Sequence, residues 1–455
     1  MLQLTKQAAE FASAIRFSGL PDRCAEATTI GITDCVGVMI AGADEQAVRI
    51  VASMVPTAAG NDTAPEVPSG RKLAAADAAL VNGVAAHVLD YDDVALSGHP
   101  SAVLAPSILA EGWTLNSSGA DLIAAYVAGY EIWALLEELE PGPYHERGFH
   151  PTAILGTIAT AAACARLNRL DAQKTMHAIA IAASMATGLV ANFGTMTKSF
   201  HAGRTAQSGI IAARLAGKGF TGSPDVLEHR TGFMRAHSPS SRPQLDIEDA
   251  ALGKHWRLPT SGIHVKRYPT CYGTHRCIDA MIDLVQQHKL TPDAVMEIRV
   301  RTGSTQKLML RNSNPQTGLE AKFSMESALS SALVAGRVGL SELTDDFVRR
   351  PDVTANFAKV KITVTEEKGE LDFAPDDRVS VVLTNGKVIE HAPVVHAKGS
   401  WQRILTRDEL EAKFVDCATR RFDRAHATSL FGQLWSMPKL ASVRDLQLIQ
   451  QRVPA

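Results

Sequence analysis

Three carboxylates and two imidazoles fall between residues 86 and 101, at Asp90, Asp92, Asp93, His87 and His99, directly after an alanine-rich run with helical spacing. Such groups are expensive to bury unless paired, so a packing core does not normally gather them where an apolar helix ends. Carboxylates and imidazoles held together can take up and return protons near neutral pH, which is the equipment of a catalytic cleft.

Four further polar islands stand among apolar or small residues. They are 148–152 with His150, 192–204 with Thr197, Lys198, His201 and Arg204, 266–275 with Lys266, Arg267, Tyr272 and His275, and 320–327 with Lys322, Phe323 and Ser324. Several of them feed a helix, where unpaired backbone amides and the helix dipole favour anions. Together with Lys198, Arg204, Lys266 and Arg267, they predict a site for a small molecule bearing two or three carboxylates. Taken singly they say less: a lone histidine before a helix is more often structural, and a loop lysine or arginine is usually solvated. The sequence shows no cysteine cluster of Fe–S type, HExxH pattern, Walker loop or Rossmann glycine fingerprint, so it gives no positive support for a metal or nucleotide.

A chain of 455 residues is too long for one ordinary core and should divide into two compact units. A net charge of −2 without a basic block argues against nucleic acid as a partner. Six scattered cysteines suit free thiols in a reducing compartment, so the expected location is the cytoplasm. No run of roughly 18–20 uncharged apolar residues suggests a membrane span, and the N-terminal segment, broken by Lys6, Glu10 and Arg16, lacks the core of a secretory signal.

To about residue 219 helical spacing dominates, at 74–89, 122–139, 154–167, 172–189 and 205–215, with small residues that let helices approach closely. Asp121 and Asp171 sit where caps or first-turn residues belong. After 259–262 the texture changes to alternating strands at 295–302, 360–365, 378–384 and 387–394, the last two joined by Asn385-Gly386. Helical spacing persists at 277–288 and 324–335, and Thr406-Arg407-Asp408-Glu409 opens another helix with a capping box. The expected fold is mainly α with a smaller α+β domain: 1–264 as the first part of a large all-helical domain, 265–398 as an inserted α+β domain, and 399–455 rejoining the first.

The order and spacing of several motifs resemble the MmgE/PrpD family, which includes 2-methylcitrate dehydratases, cis-aconitate decarboxylases and an iminodisuccinate epimerase. They are 82–93 (Asn-Gly-Val-Ala-Ala-His-Val-Leu-Asp-Tyr-Asp-Asp), Gly98-His99-Pro100-Ser101, His150-Pro151-Thr152, Gly194-Thr195-Met196-Thr197-Lys198 with His201-Ala202-Gly203, Tyr268-Pro269-Thr270-Cys271, and Ala321-Lys322-Phe323-Ser324. The resemblance covers nearly the whole chain. It implies a cofactor-free enzyme without a catalytic metal, usually a homodimer, with its site between a helical and an α+β domain. Carried over residue by residue, it assigns site positions to Asp90, His99, His150, Lys198 and His275, with Lys266 as a neighbour.

Two positions depart from the decarboxylase subgroup: Val94 stands where that subgroup has Thr, and Ser327 where it has Tyr. On this reading a hydro-lyase of the 2-methylcitrate dehydratase type comes first, an epimerase of an iminodisuccinate-like dicarboxylate second, and a cis-aconitate decarboxylase third. The epimerase is favoured by Gly194-Thr195-Met196-Thr197-Lys198 and Cys271-Tyr272. A polycarboxylate-binding protein is the non-enzymatic alternative. In each enzymatic case Lys198, His99 and His275, helped by Arg204 or Lys266 and flanked by Thr197 and Tyr272, would hold substrate carboxylates, with Asp90 or His150 moving the proton.

Overall fold

The computed structural model of the protein describes residues 3–246, 248–369 and 373–449. The chain forms two compact units, one from residues 1–263 together with 406–455, the other from 264–405. The chain leaves the second unit at Leu405 rather than at residue 398, because 399–405 are tied back into it. Gly399 accepts from the Val265 amide and its own N–H donates to Arg403.

The principal helices of the first unit are α1 (Leu4–Ala14), α2 (Asp22–Gly42), α3 (Ala75–His87), α4 (Pro100–Leu115), α5 (Gly119–Glu138), α6 (Pro151–Leu167), α7 (Ala172–Met185) and α8 (Met196–Gly217). Their start signals are local. Ser118 accepts from the Asp121 amide to cap α5, leaving Asp121 in its first turn, and Asp171 caps α7 by accepting from Lys174 N at 2.8 Å. Helices α2 and α5 are long and apolar enough to span a bilayer by length and composition, which the sequence reading did not expect. However, 89% of each apolar window is buried inside the chain, so those faces are used in packing.

Small residues set the helix spacing. Gly83 of α3 faces Gly203 of α8, and a Cβ on Gly203 would lie 2.3 Å from the Leu80 carbonyl oxygen, a backbone atom that cannot swing aside. Gly203→Ala is therefore expected to destabilise the protein by about 2–3 kcal/mol, the cost of overpacking a tight contact. Urea denaturation would show it as a lower midpoint at unchanged slope.

The second unit holds a four-stranded sheet beside α9 (His275–His288) and α10 (Met325–Ala335). Its strands are β1 (Val295–Gly303), β2 (Val360–Thr365), β3 (Arg378–Leu383) and β4 (Val388–Glu390), in spatial order β2-β1-β3-β4. β1 and β2 run parallel with Ile298 opposite Val360, while β1–β3 and β3–β4 are antiparallel. Gly386 takes φ 82° in the tight β3–β4 turn, as Asn-Gly predicts. Ile298, Val300, Val379 and Val381 bury one face of the sheet with Ile278, Met281 and Leu329 of the helices.

The chain then returns to the first unit through α11 (Arg407–Ala418), opened by the Thr406–Glu409 capping box, and α12 (Arg424–Trp435). The result is mainly α with a smaller α+β part, as the sequence predicts.

Candidate active site

The 86–101 island folds into a strained loop between α3 and α4. His87 ends α3, and His99 precedes Pro100, the first residue of α4, whose fixed φ and missing N–H suit a helix start. Between them Asp90, Leu96 and Ser97 adopt left-handed backbone angles of φ 51°, 50° and 52°. Non-glycine residues held there cost of order 1–3 kcal/mol each and gather where function over-determines the backbone. Two braces hold this loop. The Trp133 indole donates to Leu96 O at 3.2 Å, and buried Lys413 of α11 donates to Tyr91 O at 2.9 Å while pairing with Asp34. The returning C-terminal helix thus supports the loop from behind.

The loop places two imidazoles on one buried carboxylate. Asp92 is fully buried and receives His87 Nδ1 at 3.0 Å and His99 Nδ1 at 2.8 Å. His99 Nδ1 also lies 2.9 Å from the Asp93 carbonyl oxygen. With only acceptors around it, Nδ1 must carry the hydrogen, so neutral His99 keeps Nε2 as its lone-pair nitrogen. That nitrogen faces Asp90 at 3.9 Å, and Asp90 in turn receives Lys198 Nζ at 2.9 Å. Lys198 comes from the first turn of α8, which Thr195 caps.

His150 precedes α6 and is 1% exposed. Its Nδ1 lies 3.2 Å from His201 Nδ1, and its ring stacks on His87 at 6.1 Å. Thr152 accepts from the His99 amide at 3.1 Å, fastening the two histidine segments together. The Phe193 ring meets the His150 ring edge to face at 4.8 Å and carries Lys198 Nζ 5.5 Å from its centroid.

These environments separate the groups by charge. Burial pulls His87 down to about 4 even though Asp92 opposes it, so this ring is neutral at pH 7. His150 falls well below the usual range through burial and then through His87, Lys198 and the other histidines, and His201 falls for the same kinds of reason. Burial raises Asp92, yet the two imidazoles outweigh it and hold the carboxyl well below its ordinary value. Burial pushes Asp93 up to about 8 despite its Ser101 hydrogen bonds at 2.6 and 3.2 Å, so it stays protonated at neutral pH. Two adjacent aspartates thus play different parts, one an anion behind histidines and the other a neutral structural group.

Of the residues expected from sequence, Asp90, His99, His150 and Lys198 meet in this cluster. Arg204 does not join it: six residues beyond Lys198, it lies about 240° round the helix, is exposed and donates to Gln207. Thr197 is likewise exposed on the first turn of α8. His275, Lys266 and Tyr272 belong to the second unit. There His275 opens α9, is fully buried with its ring 4.9 Å from Tyr272 and 5.2 Å from Tyr268, and Lys266 is 2% exposed.

The sequence reading passed over His87, Asp92, Phe193 and His201 as individual site residues. The five-residue step from His87 to Asp92 was the available signal, since it lets a helix-terminal histidine meet a carboxylate in the following loop.

His87, Asp90, Asp92 and His99 each offer a ligand atom, all within 4.8 Å of one another, a spacing that would admit a divalent cation. One feature of the donor set counts against it: Lys198 already supplies the positive charge beside Asp90. The arrangement is better matched to moving protons around an anion than to holding a metal.

Comparison with known proteins identifies the family. The MmgE/PrpD N-terminal domain profile matches residues 6–246 and the MmgE/PrpD C-terminal domain profile matches 268–436. The chain is 30% identical to the cis-aconitate decarboxylase of Homo sapiens over 360 residues, 74% of this chain and 71% of that protein. It is 28% identical to the Mus musculus cis-aconitate decarboxylase, covering 82% and 77% of the two chains. It is 25% identical to a cis-aconitate decarboxylase of Aspergillus terreus, covering 80% and 79%. These names bring forward the reaction that the sequence reading placed third. By profile matches spanning most of its length and by these relatives, the chain belongs to the MmgE/PrpD family, and its class is that of a lyase-type enzyme.

Proposed function

We propose that this protein is a cofactor-independent lyase of a small tricarboxylate of the cis-aconitate type, acting by placing charge on the carbon next to a carboxylate. The observation that carries the reading is the Asp92–His99 pair facing the Asp90–Lys198 pair: an oriented proton carrier opposite a cation.

In this scheme a substrate carboxylate draws Lys198 partly away from Asp90. As carbon dioxide leaves, its bonding pair stays on the adjacent carbon and spreads into the conjugated carboxylate, which Lys198 stabilises. A proton is then returned to carbon by an imidazole, with His99 best placed because Asp92 can stabilise its charged form. Neutral His150 and His201 supply hydrogen-bonding groups without competing for the anion.

Dehydration is the second reading, and a specific observation favours it. By the family resemblance, Val94 lacks the hydroxyl of the Thr that the decarboxylase subgroup has there and Ser327 replaces a Tyr phenol by a much shorter hydroxyl, and Val94 sits in the loop that carries Asp90 and Asp92. The same His99 could take a proton from carbon, with a second group protonating the departing hydroxyl.

Proton NMR in deuterated water on cis-aconitate, citrate, methylcitrate and iminodisuccinate distinguishes carbon dioxide loss, water loss and stereochemical exchange in one panel. Turnover of cis-aconitate with deuterium incorporated at carbon is expected, and it should survive dialysis against EDTA. Absence of both turnover and solvent exchange on all four compounds would leave a binding protein instead.

A further inference from the structure

A second charged cavity lies in the first unit, built from the C-terminal ends of α1 and α6 and the start of α7. It encloses about 620 Å³ and is lined by Arg16, Arg166, Arg169, Asp121, Asp171 and Ser13, among others. Arg166 is its buried member, at 5% exposure. Its Nε donates to the Ile15 carbonyl at 2.7 Å, and its nearest carboxylate is Asp121, 3.5 Å from Nη2. Arg16 and Arg169 are exposed at the rim. Arg16 is fixed by donating from Nη1 to the Ser13 and Ile15 carbonyls, both at 2.8 Å, and Arg169 is presented on a left-handed residue at φ 53°.

Two carboxylates offset part of this charge, Asp121 as the ion-pair partner of Arg166, and leave one guanidinium in excess. Asp121 receives Ser118 Oγ at 2.9 Å, and Asp171 takes the Lys174 amide as the cap of α7. Three guanidiniums therefore share one concavity with two carboxylates that also serve helix starts. The excess positive charge favours a further anion in the concavity, and guanidinium forks match the oxygens of carboxylates and phosphates. Burial, followed by the charge of Arg16, lowers Arg166 from its usual range, the direction such crowding produces.

We infer that this cavity is a binding site for a small multiply charged oxyanion, separate from the catalytic cluster, with Arg166 as its floor and Arg16 and Arg169 as its rim. Phosphate esters and polycarboxylates share the required chemistry. The inference does not depend on which reaction the enzyme catalyses.

Thermal unfolding at low ionic strength tests it, because a ligand at free concentration L that binds only the folded state stabilises it by RT ln(1 + L/Kd), so the melting temperature climbs with the logarithm of ligand concentration above Kd. The probes are inorganic phosphate and tricarballylate, each added to the wild type, to R16Q/R169Q and to K198A. The rim double variant spares buried Arg166, so the fold is kept, as circular dichroism should verify.

Stabilisation that follows this law is expected in the wild type and in K198A, with affinity weaker by about tenfold or more in R16Q/R169Q, the loss of charge-assisted contacts. R16Q/R169Q should retain the wild-type catalytic rate without added anion. A stronger response to phosphate would identify a phosphate-bearing ligand, and a stronger response to tricarballylate a polycarboxylate. No concentration-dependent shift with either probe, an equal shift in R16Q/R169Q, or a shift lost only in K198A would each overturn the inference.

Discussion

Lys198→Ala should reduce kcat by about 10²–10³-fold on whichever polycarboxylate is turned over, the loss expected when a preorganised contact to developing negative charge is removed. The ammonium stands 2.9 Å from Asp90 and 5.5 Å from the Phe193 ring centroid, with neutral imidazoles close enough to feel its charge. In the free enzyme Asp90 balances it; in the reaction the growing charge on the substrate competes for it. Because that competition strengthens as charge accumulates, the loss should fall more on kcat than on KM. Lys198→Arg should not restore the rate, since a planar fork cannot replace a compact charge at this distance. Steady-state kinetics of the two variants check this. A Lys198→Ala enzyme within threefold or so of wild type would remove the residue from the chemical step under the same reasoning.

The sequence made the secondary structure legible where one local rule decided it. The Thr406–Glu409 capping box, Asp171 as a cap and the Asn385-Gly386 turn all appear where their side chains or backbone preferences require them. Helix limits were less legible because packing fixes them. α8 begins at Met196 rather than near Thr205, since Thr195 caps it and small residues such as Gly203 bring its body against α3.

At the site, sequence pattern identified charged residue types before apolar loops and helices, and four of them meet. It could not rank three aspartates within four positions. Asp90, Asp92 and Asp93 look alike as letters, yet one faces a lysine, one lies behind two imidazoles and one is held neutral by burial. Arg204 shows the reverse: its place in a polar island predicts a cation facing the ligand, yet helical rotation carries it away from Lys198.

Asp92→Asn should cost more than its conservative shape suggests, on the order of 10³-fold in kcat, by analogy with other carboxylates that orient a catalytic imidazole. An asparagine can keep its oxygen near both Nδ1 atoms only by turning its NH2 toward His87, where Oδ1 now lies 3.1 Å from an N–H. Donor then meets donor, and the charge that stabilised protonated His99 is gone. If His99 carries the proton to carbon it acts in its charged form, so the alkaline limb of the pH–rate profile should move to lower pH once the Asp92 charge is gone, a change that mere loosening of the loop would not produce. Stability should depend on pH as well. Asp92 is depressed in the folded state, so its contribution is present above the unfolded carboxylate value of about 3.9 and is lost as pH falls through the folded one. The stability gap between wild type and Asp92→Asn should therefore narrow on acidification. Asp93→Asn is the matched control: burial already keeps that neighbour protonated up to about 8, so an uncharged amide imitates it, and the rate should stay within about tenfold of wild type. Equal losses in the two variants would show that the loop needs both side chains for its shape and that Asp92 has no special hold on His99.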